Sequence, residues 1–316
     1  MASPLVSICI PAFKAAGFIG ETLESIRTQL FPDWELIVVE DGSDDGTEAI
    51  VRAFARSLSQ PVSFLRHDVN LGLPATRNTA IAHASGEWIA LIDSDDLWEP
   101  GHLAALLQRA DRDDVDLVHS GVVMFDSDTG ATLEHRVPSA DALAGFPRSL
   151  FVADYIIQPS STLIRRSLCR RVGGFDPGFR YVEDREFWLR LVRCGARVAY
   201  VDSLTCRYRQ HAGAMTRRAA EMAVGVAQVF ERNADWELVP RALRLDRAAG
   251  AWLSAGRIVL RENPRDARRH FARGLRHRPG SPRLLAYWCA AALLGAFRKD
   301  PRAARAPHIP RAPHVA

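Results

Sequence analysis

Several apolar runs in the first hundred residues carry no polar break and stop abruptly at carboxylates. Trp88-Ile89-Ala90-Leu91-Ile92 leads into Asp93-Ser94-Asp95-Asp96, and Leu36-Ile37-Val38-Val39 leads into Glu40-Asp41-Gly42-Ser43. Uninterrupted runs of this kind predict strands buried on both faces of a parallel sheet, because a strand with one wet face would alternate. Val6-Ser7-Ile8-Cys9-Ile10, stopped by Pro11, predicts a third strand, and the stretch near Ile19 to Gln29 predicts the helix after it. A loop rich in turn residues, Asn70-Leu71-Gly72-Leu73-Pro74, separates the two acidic ends, and Arg77 is expected to open the next helix. Strand, helix, strand, helix in this order predicts an open α/β sheet, in which ligands bind outside the carboxyl ends of the strands. The acids therefore fall where a ligand would lie.

Two readings of these acidic ends stand open on the residues alone. Aspartate favours turns, and a solvated turn accounts for them. Massed like charges are costly unless a cation is shared, and a hard divalent ion, Mg2+ or Mn2+, takes oxygen ligands. Recurrence at two strand ends favours the ion. Arg77 can pair with phosphate or with the acids themselves. Further along, Gly173-Gly174 and Asp176-Pro177-Gly178 predict turns ahead of Glu183-Asp184, and Phe187, Trp188 and Leu191 recur behind them at helical spacing. The two acids then sit at a helix N-terminus, where the dipole favours negative charge. Taken alone, a structural cap is the readier account of them.

The segments Val6 to Lys14, Val38 to Thr47, Asn70 to Asn78, Gly86 to Pro100 and Gly173 to Leu191, in this order and spacing, resemble the family-2 glycosyltransferases. The resemblance implies the GT-A fold, an α/β Rossmann-like mixed, mainly parallel sheet flanked by helices. It implies an inverting, metal-dependent transfer of a sugar from a nucleoside-diphosphate donor, a UDP- or dTDP-sugar, to a hydroxyl of a surface polysaccharide or lipid-linked glycan. Carried over residue by residue, Pro11, Ala12 and Phe13 line the donor pocket, Asp41 accepts a hydrogen bond from the base, and Arg77 lies near the nucleotide. Asp93 and Asp95, flanking Ser94, match the family's DxD pair, with Asp95 on the Mn2+ or Mg2+ and Asp93 at the ribose or at metal-bound water. Asp184 matches the general base, with Glu183 and Trp188 on the acceptor side. The stretch Tyr208-Arg209-Gln210-His211 resembles the segment whose histidine approaches the metal or the diphosphate, so His211 joins Asp95 as an expected ligand. Glu40 departs from the aspartate commoner at its position.

The 316 residues accommodate a catalytic domain over 1–220, a helical appendage over 221–300 and a Pro-, Ala- and Arg-rich tail over 301–316 that is expected to be disordered. Five cysteines form no CxxC pattern and no basic-then-apolar leader is evident, which predicts a reducing, cytoplasmic setting. The net charge of +4 conceals an asymmetry: residues 241–316 carry seventeen Lys or Arg against four acids, so the remainder is acidic. No aromatic-interleaved or helix-turn-helix signature accompanies this charge, and nucleic acid is not an expected partner. Anionic lipid is, against the plainer reading of a solvated helix face. Trp252, Ala255, Gly256, Ala267, Phe271, Ala272 and Leu275 predict one helix pair of the tetratricopeptide kind, which cannot bury its own face. Leu284 to Phe297, apolar between Arg283 and Arg298-Lys299, is too short to span a bilayer and fits either a membrane interface or a helix closing the appendage.

Two alternatives stay open, a metal-dependent nucleotidyltransferase and a non-catalytic sugar-nucleotide binding module, and a dinucleotide oxidoreductase is the weakest rival. A nucleotidyltransferase would show a basic phosphate-gripping loop early, and a dinucleotide oxidoreductase would show GxGxxG after the first strand. Neither occurs here. A non-catalytic sugar-nucleotide binding module would lose Asp95 or Asp184, and both remain.

Overall fold

The computed structural model describes residues 4–211 and 218–297, so the expectation for the 301–316 tail lies outside the described residues. Two compact units are present, one formed by residues 1–225 with 236–239 and the other by 226–235 with 240–316.

In the first unit the apolar runs become the strands they predict. Strands β1 (Val6–Ala12), β2 (Trp34–Glu40), β3 (Val62–Arg66) and β4 (Trp88–Leu91) pair in parallel in the order β3-β2-β1-β4. Beyond β4 the sheet becomes mixed through β8 (Thr162–Arg165), β6 (Leu117–Asp126), β9 (Val198–Gln210) and the short β5 (Leu97–Trp98), with β7 (Thr132–Arg136) on β6. Helices on the two faces exclude water from the central strands, so every residue of β1 and β4 is buried. Register then decides the position of the chemistry. Ala12 pairs with Glu40 and Cys9 with Leu91, so the segments following β1, β2 and β4 leave the sheet along one edge.

Helix α1 (Ile19–Arg27) buries Ile19, Leu23 and Ile26 at the spacing of one helical face. Helix α2 spans Thr47–Ala55. Helix α3 (Leu73–His83) starts one turn earlier than expected, because Pro74 takes the N-terminal position for which its fixed φ and missing N–H suit it. Arg77 is thereby moved into the second turn. Next come α4 (His102–Asp113) and the short α5 (Ala140–Ala144), α6 (Arg148–Val152) and α7 (Arg166–Arg171). Helices α8 (Glu183–Arg193) and α9 (Ala219–Arg232) complete the unit, the last turns of α9 passing into the second unit.

The second unit packs α10 (Arg241–Val259), α11 (Pro264–His277) and α12 (Pro282–Phe297) around Ala249, Ala267, Phe271, Leu284 and Ala291. Gly256 lets α10 reach the Phe271 ring, where an added Cβ would stand 2.3 Å from Cε1. The predicted helix pair thus forms, and α12 covers it with Leu284 and Ala291 while Leu285, Leu293 and Leu294 remain outside. Among the described residues no helix is long and apolar enough to cross a membrane.

A buried histidine supports the acidic edge from below. His102, at the start of α4, stacks on Trp98 at 4.6 Å and shares a 2.8 Å hydrogen bond between Nδ1 and Thr205 Oγ1 of β9. Burial pushes its pKa down to about 3. The folded protein therefore holds it neutral while the unfolded chain takes up a proton below about pH 6.5, so its contribution to stability is present above that pH and falls by about 1.4 kcal/mol per unit on acidification. His102→Phe keeps the stack and removes the titration. Urea unfolding of the variant should show a slope against pH shallower by about that amount between roughly pH 6 and pH 4, and equal slopes would show that His102 is not buried neutral.

Candidate active site

At the edge left by β1 and β2, Pro11 and Ala12 are buried and Phe13 projects into solvent. Asp41 leaves β2 with its N–H donated to Ala12 O at 2.8 Å. Its carboxylate gathers the following loop: Leu71 N donates to Oδ1 at 2.9 Å, Gly72 N to Oδ2 at 2.8 Å, and His67 Nδ1 lies 2.8 Å from Oδ1. Gly42, at φ +74, lets the loop close, since a Cβ there would meet Val69 C at 2.6 Å. One lone pair, on Oδ2, is left for a ligand. Glu40 is long enough to turn back and accept from Ser43 N at 3.1 Å and Ser43 Oγ at 2.6 Å, while its buried Oε2 has no partner.

The acids after β4 separate into different roles. Asp96 is buried and accepts from Ser160 Oγ at 2.5 Å and Arg209 N at 2.9 Å, so it anchors the turn at 159–161 and the end of β9 rather than facing a ligand. Ser94 contributes its carbonyl, which accepts from Thr22 Oγ1 of α1 at 3.0 Å. Asp95 remains partly open, and His211 Nε2, just past β9, lies 3.0 Å from Asp95 Oδ2 with its ring against Phe18. Burial, then the neighbouring Asp93 charge, raises the Asp95 pKa against the opposing pull of His211. Asp96 is pushed well up by burial and by both neighbouring carboxylates. Such crowding favours a shared cation.

The structure brings Asp95 and His211 together, as the sequence reading expects. An oxygen and a nitrogen ligand at this spacing fit Mn2+ or Mg2+ with donor phosphates completing the coordination. No cluster of three or more protein ligands exists among the described residues.

Arg77 joins this acidic edge to the second one. Its guanidinium is only 1% exposed; Nη2 donates to Asp93 Oδ1 at 2.7 Å and Nη1 to Glu183 Oε1 at 2.6 Å, with the Phe175 ring 5.2 Å away. Of the two pairings open to it in the sequence, phosphate or the acids, Arg77 makes the second: it is an internal clamp between two carboxylates. Asn78, its neighbour on α3, exchanges two 2.7 Å hydrogen bonds with the Phe175 backbone and fixes the loop ahead of α8.

Glu183 and Asp184 begin α8, as the turn pattern predicts. Burial pushes Glu183 up to about 7, against Arg77 and with help from Asp184. The Asp184 carboxyl is raised too, by burial first, with Arg77 opposing. A raised carboxylate is a stronger base, and Asp184 is less enclosed than Glu183. Trp188 requires a correction. Expected on the acceptor side, it is 1% exposed, packs on Phe175 and Phe187, and donates its indole N–H to Ile157 O at 3.0 Å. It supports α8 from the core.

Two further residues of the site, Ser160 and Arg209, are not among the candidates the sequence points to. The Ser160 hydroxyl donates to Asp96 and accepts from Asp93 N at 3.0 Å. Arg209 holds Asp95 O at 2.7 Å and Glu21 at 2.8 Å while lying over Phe18 and Phe125. Both act across more than sixty residues of chain, a separation that periodicity cannot bridge.

Residues 7–173 match the model of Glycosyl transferase family 2. Putative glycosyltransferase EpsH of Bacillus subtilis (strain 168) is 30% identical over 224 residues, 69% of this chain, and the chain spans 64% of that relative's length. Among solved structures, S. aureus TarS 1-349 in complex with UDP-GlcNAc superposes with a TM-score of 0.66 at 17% identity, covering 92% of this chain and 91% of that one. Mannosyltransferase PcManGT from Pyrobaculum calidifontis, in complex with GDP-Man and Mn2+, gives 0.62 at 20% identity over 95% of this chain and 89% of that one. These likenesses show that the fold is the GT-A fold expected from the sequence.

Proposed function

Because the chain belongs to glycosyl transferase family 2, we propose that it is a glycosyltransferase that moves a sugar, with inversion, from a UDP- or dTDP-linked donor to a hydroxyl of a surface polysaccharide or lipid-linked glycan. The observation that carries this reading is the Arg77 clamp, which brings a strand-end pair of acids and a helix-start pair of acids to one place. One pair suits the donor and the other the acceptor. Donors bound to the neighbouring folds support a nucleotide sugar as substrate class, and the two different bases among them leave the base choice to residues of this chain.

Pro11, Ala12 and Phe13 form the floor and lip of the donor pocket, and Asp41 offers its remaining Oδ2 lone pair to a base N–H. Asp93 and Ser94 lie beside the ribose and diphosphate. Asp95 and His211 would hold Mn2+ or Mg2+, which when bound neutralises charge developing on the leaving diphosphate. Asp184 takes the proton from the acceptor hydroxyl as its oxygen attacks the anomeric carbon from the face opposite the departing diphosphate. Glu183, tied to Arg77, keeps α8 oriented for this step. A single base on one face leads to inversion.

The second unit supports a peripheral contact with an anionic membrane, on its cytoplasmic face. Leu285, Leu293 and Leu294 lie on the exposed side of α12, which carries no acid, and Arg283 and Arg298-Lys299 flank the apolar run in the sequence. The first expected outcome follows from this face. Flotation with vesicles containing phosphatidylserine should carry the protein at low salt and lose it in a Leu285→Glu/Leu293→Glu variant; equal flotation of the two would rule out α12 as the contact.

The catalytic assignment is tested by separating binding from turnover. Calorimetry should show UDP affinity falling at least roughly tenfold on chelation or in Asp95→Asn. Asp184→Asn should keep that affinity while losing about a hundred- to ten-thousandfold in transfer. Affinity indifferent to chelator removes the metal role of Asp95, and full transfer by a folded Asp184→Asn protein removes the base.

A further inference from the structure

Val182, immediately before the Glu183-Asp184 pair, has φ +55 and ψ +28, the left-handed region. For a β-branched residue this is a true outlier, since the branched side chain crowds the following carbonyl, and a glycine would occupy the position without strain. Strain of this kind persists where its surroundings over-determine the backbone, and it concentrates at functional sites. Here the surroundings are visible. Gly225 of α9 approaches the same two residues so closely that a Cβ on it would stand 2.6 Å from Val182 Cγ2 and 2.9 Å from Tyr181 O. Arg218, just ahead of α9, donates to the Tyr181 hydroxyl at 3.1 Å. Val182 in turn accepts the hydrogen bond from Glu186 N, at 3.2 Å, that closes the first turn of α8.

From this contact we propose that Val182 and Gly225 form a latch that positions the acid pair. The left-handed turn sends Glu183 inward to Arg77 while the next residue, Asp184, stays partly open at the helix start. A branched side chain seated against the bare Gly225 backbone denies the turn its relaxed alternatives. Val182 and Gly225 are positioning residues, acting through Glu183 and Asp184 and touching no reacting atom. The inference rests on the reading of Asp184 as the base.

The test is Val182→Gly, read by urea unfolding, by hydrogen exchange at the first turn of α8, and by UDP released from UDP-GlcNAc with Mn2+ present and water as acceptor. Relief of strain should leave global stability equal or higher. Exchange at residues 185–187 should nevertheless quicken about tenfold, and kcat for UDP release should fall roughly ten- to hundredfold with KM unchanged, the signature of a misplaced group. Gly225→Ala, which presses on the latch from the other side, should lower kcat likewise. Unchanged exchange in Val182→Gly, or exchange that quickens only in proportion to lost global stability, overturns the proposal. If Val182→Gly does not fold, Val182→Ala removes the Cγ2 contact and is judged by the same measures. A wild-type protein that releases no UDP counts against the donor reading, and the exchange result then decides the latch alone.

Discussion

A buried guanidinium must be paired, and the candidate site is organised around that requirement. Arg77 has no route to water, so two carboxylates must come to it, and they come from segments far apart in sequence: Asp93 from the end of β4 and Glu183 from the start of α8. Placing one charge in the interior costs several kcal/mol, of order 3–5 if a partner is removed, so the three segments cannot drift independently. Donor-side and acceptor-side acids are thereby held in one frame. The planar fork of arginine suits this in a way that lysine, a single point charge, does not.

Around that frame the remaining contacts are arranged to leave two acids free. Asp96 is absorbed into structure by Ser160 and the Arg209 backbone, and Asp41 is held by the Leu71 and Gly72 amides with one Oδ2 lone pair left over. Asp95 and Asp184 keep openings. Both have pKa values raised chiefly by burial, with unlike consequences. Beside His211 and Asp93, a raised Asp95 favours a cation. Asp184, raised by burial although Arg77 and Arg185 pull the other way, is suited to accept a proton. The same physical cause supports binding at one end of the site and base chemistry at the other.

Much of this was legible in the chain. Continuous apolar runs gave the buried parallel strands β1, β2 and β4, the spacing of Ile19, Leu23 and Ile26 gave α1, and the acids at the run ends lie at the sheet edge where ligands of α/β folds bind. What was not legible depends on contacts between distant segments. In sequence Arg77 stays open between phosphate and the acids, because arginine pairs equally well with both; the carboxylate pairing shows only in the fold, where Glu183 arrives from 106 residues later. Trp188 shows helical periodicity, which says that a face is apolar but not whether it points to a ligand or to the core. Ser160 and the left-handed Val182 have no local signature at all, since an ordinary serine or valine acquires its role from what it meets, and Arg209 is marked only by standing in the stretch that ends at His211.

The claim that one guanidinium couples the two acidic edges is tested most directly by a double-mutant cycle between Asp93→Asn and Glu183→Gln, measured by urea unfolding and by UDP affinity. Coupling through Arg77 predicts strong non-additivity in unfolding, on the order of 1 kcal/mol or more, because each substitution changes the charge left for the other. The same coupling predicts that Glu183→Gln alone alters UDP affinity although it lies on the acceptor side. Effects that add within about 0.5 kcal/mol, with UDP affinity unmoved by Glu183→Gln, would contradict it.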